Sequence, residues 1–283
     1  MKAPDFAYAR PTVLSEVFDL LDGDGDVRLL AGGQSLVPSL NMRLSAPSLL
    51  VDINRLPGLS GIEARDGVVR IGALTRHGEI ARSALIAERL PLLAMAAPHI
   101  AHAAIRNRGT FGGSIALADP AAEWPACCLA LGATMVVASR AGERRVAAGD
   151  FFTGLFATAL RRGEVLVAIE IASPPAGSVA HFSELARRRG DYAIVGLAAQ
   201  VARAEDGAMD PRLAFFGVGD RPVLAEATRR VIAGGGGIAD AQATLGRDLA
   251  PTGDAECAGA TKLHLARVLL GRAMAALRTR GDA

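Results

Sequence analysis

The chain has 283 residues, 51% of them apolar and only 4% aromatic, with 31 basic and 29 acidic side chains for a formal net charge of +2. That length allows two domains and a substantial core, which must be built from Ala, Val, Leu and Ile rather than from rings. The balanced charge offers no cationic field for nucleic acid, and no apolar run approaches the roughly 20 residues that span a bilayer.

Pro11-Thr12 opens a helix with Leu14, Val17, Phe18 and Leu21 at helical spacing. The loop Asp22-Gly23-Asp24-Gly25-Asp26 leads into a strand from Val27 to Leu30, which runs straight into Ala31-Gly32-Gly33-Gln34-Ser35. A second helix is predicted from near Ser35, then strands over Leu49–Ile53 and Val68–Ala73, with Thr75 capping a short helix. A helical stretch from about Ala84 to Ala104 is interrupted by Pro91 and Pro98. After a second glycine turn, Gly109-Thr110-Phe111-Gly112-Gly113-Ser114, the segment Asp119–Leu131 reads as helix. Thr134–Ala138 and Val146 pair as a hairpin around Ala141-Gly142, and Val165–Ile171 alternates as a strand. Ser173-Pro174-Pro175-Ala176-Gly177-Ser178 is the best linker. Strands near Phe182–Ala186, Ile194–Ala202 and Arg212–Val218 follow, then helices separated by Gly234–Gly237, the last from about Ala258 to Thr279. No solenoid repeat is present, and the order of elements is that of an α+β protein.

Several constellations dissolve on inspection. The Asp22-Asp24-Asp26 run resembles a calcium loop, but its sixth position is Val27 and its twelfth Gly33, where that loop needs Gly and a bidentate Glu. The three cysteines, Cys127, Cys128 and Cys257, form no C-x-x-C and are too few for a four-thiolate iron–sulfur cluster, so they read as buried apolar residues. His99 and His102 stand at a chelating spacing with no carboxylate near them in sequence, and no metal ligand set is predicted. The basic clusters Arg106/Arg108, Arg161/Arg162 and Arg187–Arg189 suit a solvated face, phosphate contact or a partner surface, with the first favoured for Arg161/Arg162. No Ser-His-Asp or Cys-His system is apparent.

The two glycine turns carry more. Each pairs glycines and then adds a small polar residue, so successive backbone amides can converge on an anion where side chains are missing. Neither is a Walker loop or a G-x-G-x-x-G fingerprint. Two such turns could grip one pyrophosphate from both sides.

The stretch Leu30-Ala31-Gly32-Gly33-Gln34-Ser35-Leu36-Val37-Pro38 with Asn41-Met42-Arg43-Leu44 resembles the first FAD-binding loop of a known family. That family is the medium, FAD-binding subunit of carbon monoxide dehydrogenase and related xanthine dehydrogenase-type molybdenum hydroxylases. Further blocks match in order: Ile71-Gly72-Ala73-Leu74-Thr75-x-His77, Arg106–Ser114, Ala118-Asp119-Pro120-Ala121-Ala122-Glu123, and Phe182 to Ala193 beyond the linker. The resemblance covers nearly the whole chain. It implies an FAD-binding domain of PCMH type over 1–175, with subdomains of about 1–55 and 56–175, followed by a smaller sheet-and-helix domain over 178–283. It also implies that the backbone of Gly32, Gly33, Gln34, Ser35 and Leu36, and that of Thr110, Phe111, Gly112, Gly113 and Ser114, hold the diphosphate of FAD. Asp119 and Glu123 would bond ribityl or ribose hydroxyls, and Leu166 and Tyr192 would flank the isoalloxazine. Ser114 stands where some relatives carry Asn; both are short donors.

By the same resemblance no residue here acts as acid or base on an organic substrate. Molybdenum cofactor and [2Fe–2S] clusters belong to a large and a small partner subunit, in a heterotrimer or its dimer that is cytoplasmic and binds no nucleic acid. The alternatives are a self-contained FAD oxidoreductase of the same fold, similar to the reductase of cell-wall UDP-sugar synthesis, and a flavin-free structural or assembly subunit. Substrate and electron acceptor stay open.

Overall fold

Alternating β-branched strands and short amphipathic helices divide the chain into three packed regions in a computed structural model that describes residues 2–203, 209–255 and 257–279. The first region runs β1 (Ala7–Ala9), α1 (Leu14–Asp22), β2 (Val27–Leu30), α2 (Leu36–Asn41) and β3 (Leu49–Asp52). Its strands form a parallel sheet in the order β1-β3-β2, with the helices as crossovers.

The second region opens with β4 (Ile62–Arg65) and β5 (Val68–Gly72). Six short helices follow: α3 (His77–Arg82), α4 (Ala84–Arg89), α5 (Pro91–Ala96), α6 (Ala103–Arg106), α7 (Phe111–Leu117) and α8 (Glu123–Leu131). Next come β6 (Thr134–Ser139), β7 (Gly142–Ala147), α9 (Ala148–Phe151), β8 (Phe152–Gly154), β9 (Ala157–Thr158) and β10 (Val165–Ala172). An antiparallel sheet in the order β4-β5-β10-β6-β7 is its centre. One face, with Ile71, Met135, Val137, Ile169 and Ile171, packs on the helices. The other, with Val136, Ala138, Val165 and Val167, packs on Val17, Phe18 and Val51 of the first region.

The third region holds β11 (Val179–Leu185), β12 (Val195–Arg203), β13 (Met209–Phe216), β14 (Val223–Leu224), α10 (Glu226–Ala233), α11 (Ile238–Thr244) and α12 (Gly259–Thr279). Its strands form an antiparallel sheet in sequence order. Ala180, Phe182, Ala198, Ala214 and Phe216 point toward α5 and α8, whereas Leu197, Ala199, Leu213 and Phe215 point toward α10–α12. Helix α8 thus lies between two sheets, and seven of its nine residues, Trp124 to Ala130, are buried. That explains a helix apolar on every side. Arg212 of β13 donates to the carbonyls of Ala130 and Leu129 at 2.9 and 3.0 Å and so closes its C-terminal end.

Two sequence expectations change and one is refined. The stretch from 84 to 104 breaks before Pro91 as expected, at Leu90 with φ −134° and ψ 59°, passes through a tighter turn over Ala97–His99 that contains Pro98, and breaks once more at Ala101, which has positive φ. The helix expected over 119–131 begins at Glu123, because Asp119 Oδ1 accepts from the Ala121 amide at 2.9 Å and forms a turn first. Thr75 caps nothing: it is fully buried, and its hydroxyl exchanges hydrogen bonds with Gly61. The Arg76 amide instead meets Glu79 Oε2 at 2.7 Å.

Candidate functional site

Where β2 ends, the chain turns through Gly32 and Gly33, the latter at φ +71°, before α2 begins. Gly33 is the position here that favours a residue without Cβ on conformational grounds. Among the described residues, the amides of Gly32, Gly33, Gln34, Ser35 and Leu36 have no protein acceptor. Gln34 Nε2 folds back onto the Gly32 carbonyl at 2.9 Å, which keeps that side chain against the turn. Five successive free donors in a bend form a concavity for an anion.

The second turn is built differently. Phe111 N donates to Thr75 O and Gly112 N to Ala73 O, both at 2.8 Å. Gly113 N donates to Thr110 Oγ1 at 3.2 Å and Ser114 N to Thr110 O at 3.1 Å. The expectation that both turns present open amides therefore needs correcting for Phe111 to Ser114. Phe111 also departs from its expected role: its ring is fully buried, edge-on to Trp124 at 5.2 Å, and takes no part in the cavity between the two turns. Gly112 is required by packing, since an added Cβ would collide with Ala73 at the end of β5. This turn keeps two hydroxyls, those of Thr110 and Ser114, and the Thr110 oxygen already accepts from the Gly113 amide.

The two turns touch. A Cβ on Gly32 would land on the Arg108 carbonyl oxygen and lie 2.8 Å from Gly109 Cα, and one on Gly113 would lie 3.8 Å from Ala31 Cβ. Only glycine lets the backbones meet at this seam.

Along the seam opens a cavity of about 570 Å³, walled by all three regions. It gathers thirteen of the fourteen residues singled out from sequence: Gly32, Gly33, Gln34, Ser35, Leu36, Thr110, Gly112, Gly113, Ser114, Asp119, Glu123, Leu166 and Tyr192. Leu166 is aimed inward by a bulge in β10, where pairing with β6 skips from Leu166 to Ala168. At the bulge Val167 and Ala168 both pack with the first region, while Leu166 lines the cavity together with its neighbour Val165. Tyr192, 67% exposed, comes from the loop before β12 and stands at the mouth.

Electrostatics distinguish the polar groups. Burial pushes the Glu123 carboxyl up to about 8, with Glu184 and Asp119 adding to the rise. Burial also raises Asp119, partly offset by the Ala121 amide. At neutral pH Glu123 is therefore uncharged, offers both a donor and an acceptor, and does not repel a phosphate.

His77 joins the site although sequence reasoning gave it no role. Trp124 Nε1 donates to its Nδ1 at 2.9 Å, so Nδ1 carries no proton and Nε2 is the donor. Burial, aided by Arg76 and Arg106, lowers its pKa to about 4, so the ring is neutral. Its Thr-x-His spacing was visible; the tryptophan 47 residues away was not.

Other candidates serve the fold. His99 Nδ1 lies 3.1 Å from Glu184 Oε1, so its carboxylate comes from a distant strand rather than from nearby sequence. Arg106 donates to the carbonyls of Ile100 and Ala101, both at 2.8 Å, and Arg162 to that of Gly23 at 2.8 Å. Cys127 and Cys128 are buried in α8, and burial raises both thiols. Asp22 pairs with Arg140 at 3.2 Å and Asp26 with Arg28 at 3.0 Å.

The cavity fits FAD: open amides suit its diphosphate, neutral and polar side chains its hydroxyls, and the Leu166 wall its ring. Residues 4–174 match the family described as FAD binding domain in molybdopterin dehydrogenase, and residues 180–277 match the carbon monoxide dehydrogenase flavoprotein C-terminal domain. The chain is 44% identical to the 6-hydroxypseudooxynicotine dehydrogenase complex subunit alpha of Paenarthrobacter nicotinovorans, over 82% of this chain and 79% of that one. It is 37% identical to the carbon monoxide dehydrogenase medium chain of Hydrogenophaga pseudoflava, over 83% and 82%. A solved carbon monoxide dehydrogenase from Hydrogenophaga pseudoflava, lacking the Mo-pyranopterin moiety, superposes with a TM-score of 0.94 at 35% identity, covering 99% of each chain. Quinoline 2-oxidoreductase from Pseudomonas putida 86 gives 0.93 at 37% identity, covering 100% of each.

Proposed function

The chain belongs to the molybdopterin dehydrogenase FAD-binding family, an oxidoreductase family, and we propose that it is the electron-transfer subunit of a multisubunit molybdenum hydroxylase. In this reading a small partner holding [2Fe–2S] clusters delivers electrons, a large partner holding the molybdenum cofactor transforms the substrate, and this chain hands electrons to an external acceptor. FAD supplies the exchange between one-electron and two-electron carriers when bound.

The protein's own part is binding and orientation. Gly32 to Leu36 receive the diphosphate on their amides, while Thr110 and Ser114 add hydroxyls across the seam. Asp119 and Glu123 hold sugar hydroxyls, His77 donates from Nε2, and Leu166 with Tyr192 flank the isoalloxazine. The chain divides at the linker between Ala172, the end of β10, and Val179, the start of β11. No helix among the described residues is long and apolar enough to cross a membrane.

One observation carries this proposal: among the described residues, five successive amides without a protein acceptor belong to residues that line a cavity, beside a second glycine turn in backbone contact with the first. Heat release and chromatography of the bound flavin is the test. FAD, at one equivalent per chain, is expected, with molybdenum and iron co-purifying in fixed ratio from the native complex. FMN or no flavin, or FAD without either metal, would overturn it.

A further inference from the structure

Behind the seam, outside the cavity, a chain of polar side chains ties the two turns together. Asn54 stands just past β3, and its Nδ2 donates to the carbonyl oxygens of Ala31 at 2.8 Å and Leu30 at 3.2 Å. Its Oδ1 accepts from Arg76 Nη2 at 2.7 Å. Nη1 of the same guanidinium donates to the Arg108 carbonyl, the oxygen on which a Gly32 Cβ would land. Asp52 fixes Asn54 in turn: Oδ1 accepts from Nδ2 at 2.7 Å and from the Asn54 amide at 3.0 Å. Its Oδ2 takes the Tyr8 hydroxyl at 2.6 Å and faces Arg10 at 3.3 Å.

Neither Asn54 nor Arg76 lines the cavity. Their effect passes through the backbone. In a planar trans peptide the carbonyl and the following amide point in opposite directions. Pinning the Ala31 carbonyl to Asn54, outside, therefore turns the Gly32 amide inward. Pinning the Arg108 carbonyl to Arg76 holds the second turn against Gly32. A planar guanidinium can serve both partners at once, which a lysine ammonium on a flexible stem does less well.

We propose that Asn54 and Arg76 are positioning residues: they fix the inward aim of the first turn's amides and the separation of the two turns, and so make the cavity selective for a flavin carrying a diphosphate. This rests on the FAD reading above. It adds to that reading two residues that touch no ligand.

The test uses the full chain stripped of flavin, as wild type, Asn54→Ala, Arg76→Ala, Arg76→Lys and the Asn54→Ala/Arg76→Ala double variant. Dissociation constants for FAD and for riboflavin are measured by flavin fluorescence, beside the thermal midpoint of each apoprotein. Each alanine variant is expected to raise the FAD constant about 10- to 100-fold, the scale of one or two charge-assisted hydrogen bonds. The riboflavin constant should stay at its wild-type value. The double variant should bind FAD no worse than the weaker single one, because both residues act on one seam. Equal weakening of FAD and riboflavin would overturn the proposal. So would additive losses in the double variant, or a lowered apoprotein midpoint with both constants unchanged. Should the alanine variants not fold, Arg76→Lys decides by the same two constants. Failure of the wild type to bind FAD would overturn the FAD reading itself.

Discussion

Among the described residues, the five successive amides of Gly32 to Leu36 meet no protein acceptor, whereas at Phe111 to Ser114 four successive amides each have one. Both segments show paired glycines and a small polar residue. In the first, missing side chains expose donors; in the second, they let α7 settle onto the end of β5. The same letters thus serve ligand binding in one place and packing in the other. What separates the two uses is where the amide protons go: two of the second turn's are taken by Ala73 and Thr75, just past β5, and two by Thr110 at the start of the turn itself.

Mutations at the two turns should therefore fail differently. Gly32→Ala drives a methyl into the Arg108 carbonyl and pries the seam open; overpacking strain of this kind corresponds to an FAD dissociation constant raised about 10- to 100-fold. Equilibrium titration with FAD checks this, and an unchanged constant would remove the seam from the argument. Gly112→Ala should mainly cost stability, about 1–3 kcal/mol, because its Cβ meets Ala73 in the protein interior. Urea unfolding of the apoprotein measures that, and a loss of FAD affinity without loss of stability would reverse the contrast drawn here.

The smallest effect concerns the side chains that speak for the second turn's flank of the cavity. Glu123 has a pKa of about 8 when folded and its usual 4.5 when unfolded. The folded state therefore holds a proton that the unfolded state gives up between those values. Stability from this group is full below about 4.5 and is lost as pH rises through 8. Apoprotein thermal midpoints at pH 6 and 9 should fall across that interval in the wild type and fall less in Glu123→Gln. Identical slopes would show that Glu123 is not the group responsible.

Much of this was legible in the chain itself. The apolar stretches Val165–Ile171 and Ile194–Ala202 mark strands that prove buried on both faces, and the glycine turns mark the seam. The missed strands have physical excuses. β1 is three residues long, and β4, Ile-Glu-Ala-Arg, is a half-charged edge strand, so neither carries a periodic apolar signal. The bulge at Leu166 was hidden because it interrupts the very alternation that identified the strand. Hidden too was the link from Asn54 to Arg76 and on to Arg108: each step joins residues 22 and 32 apart, and no local pattern encodes it.

Trp124 is the chain's one tryptophan, and it lies fully buried a single hydrogen bond beneath His77. Its ultraviolet emission therefore comes from one place, just under the cavity wall. An isoalloxazine absorbs where an indole emits, so an occupied cavity dims that glow and an empty one restores it. The fold carries its own optical gauge of flavin loading, readable without any added dye.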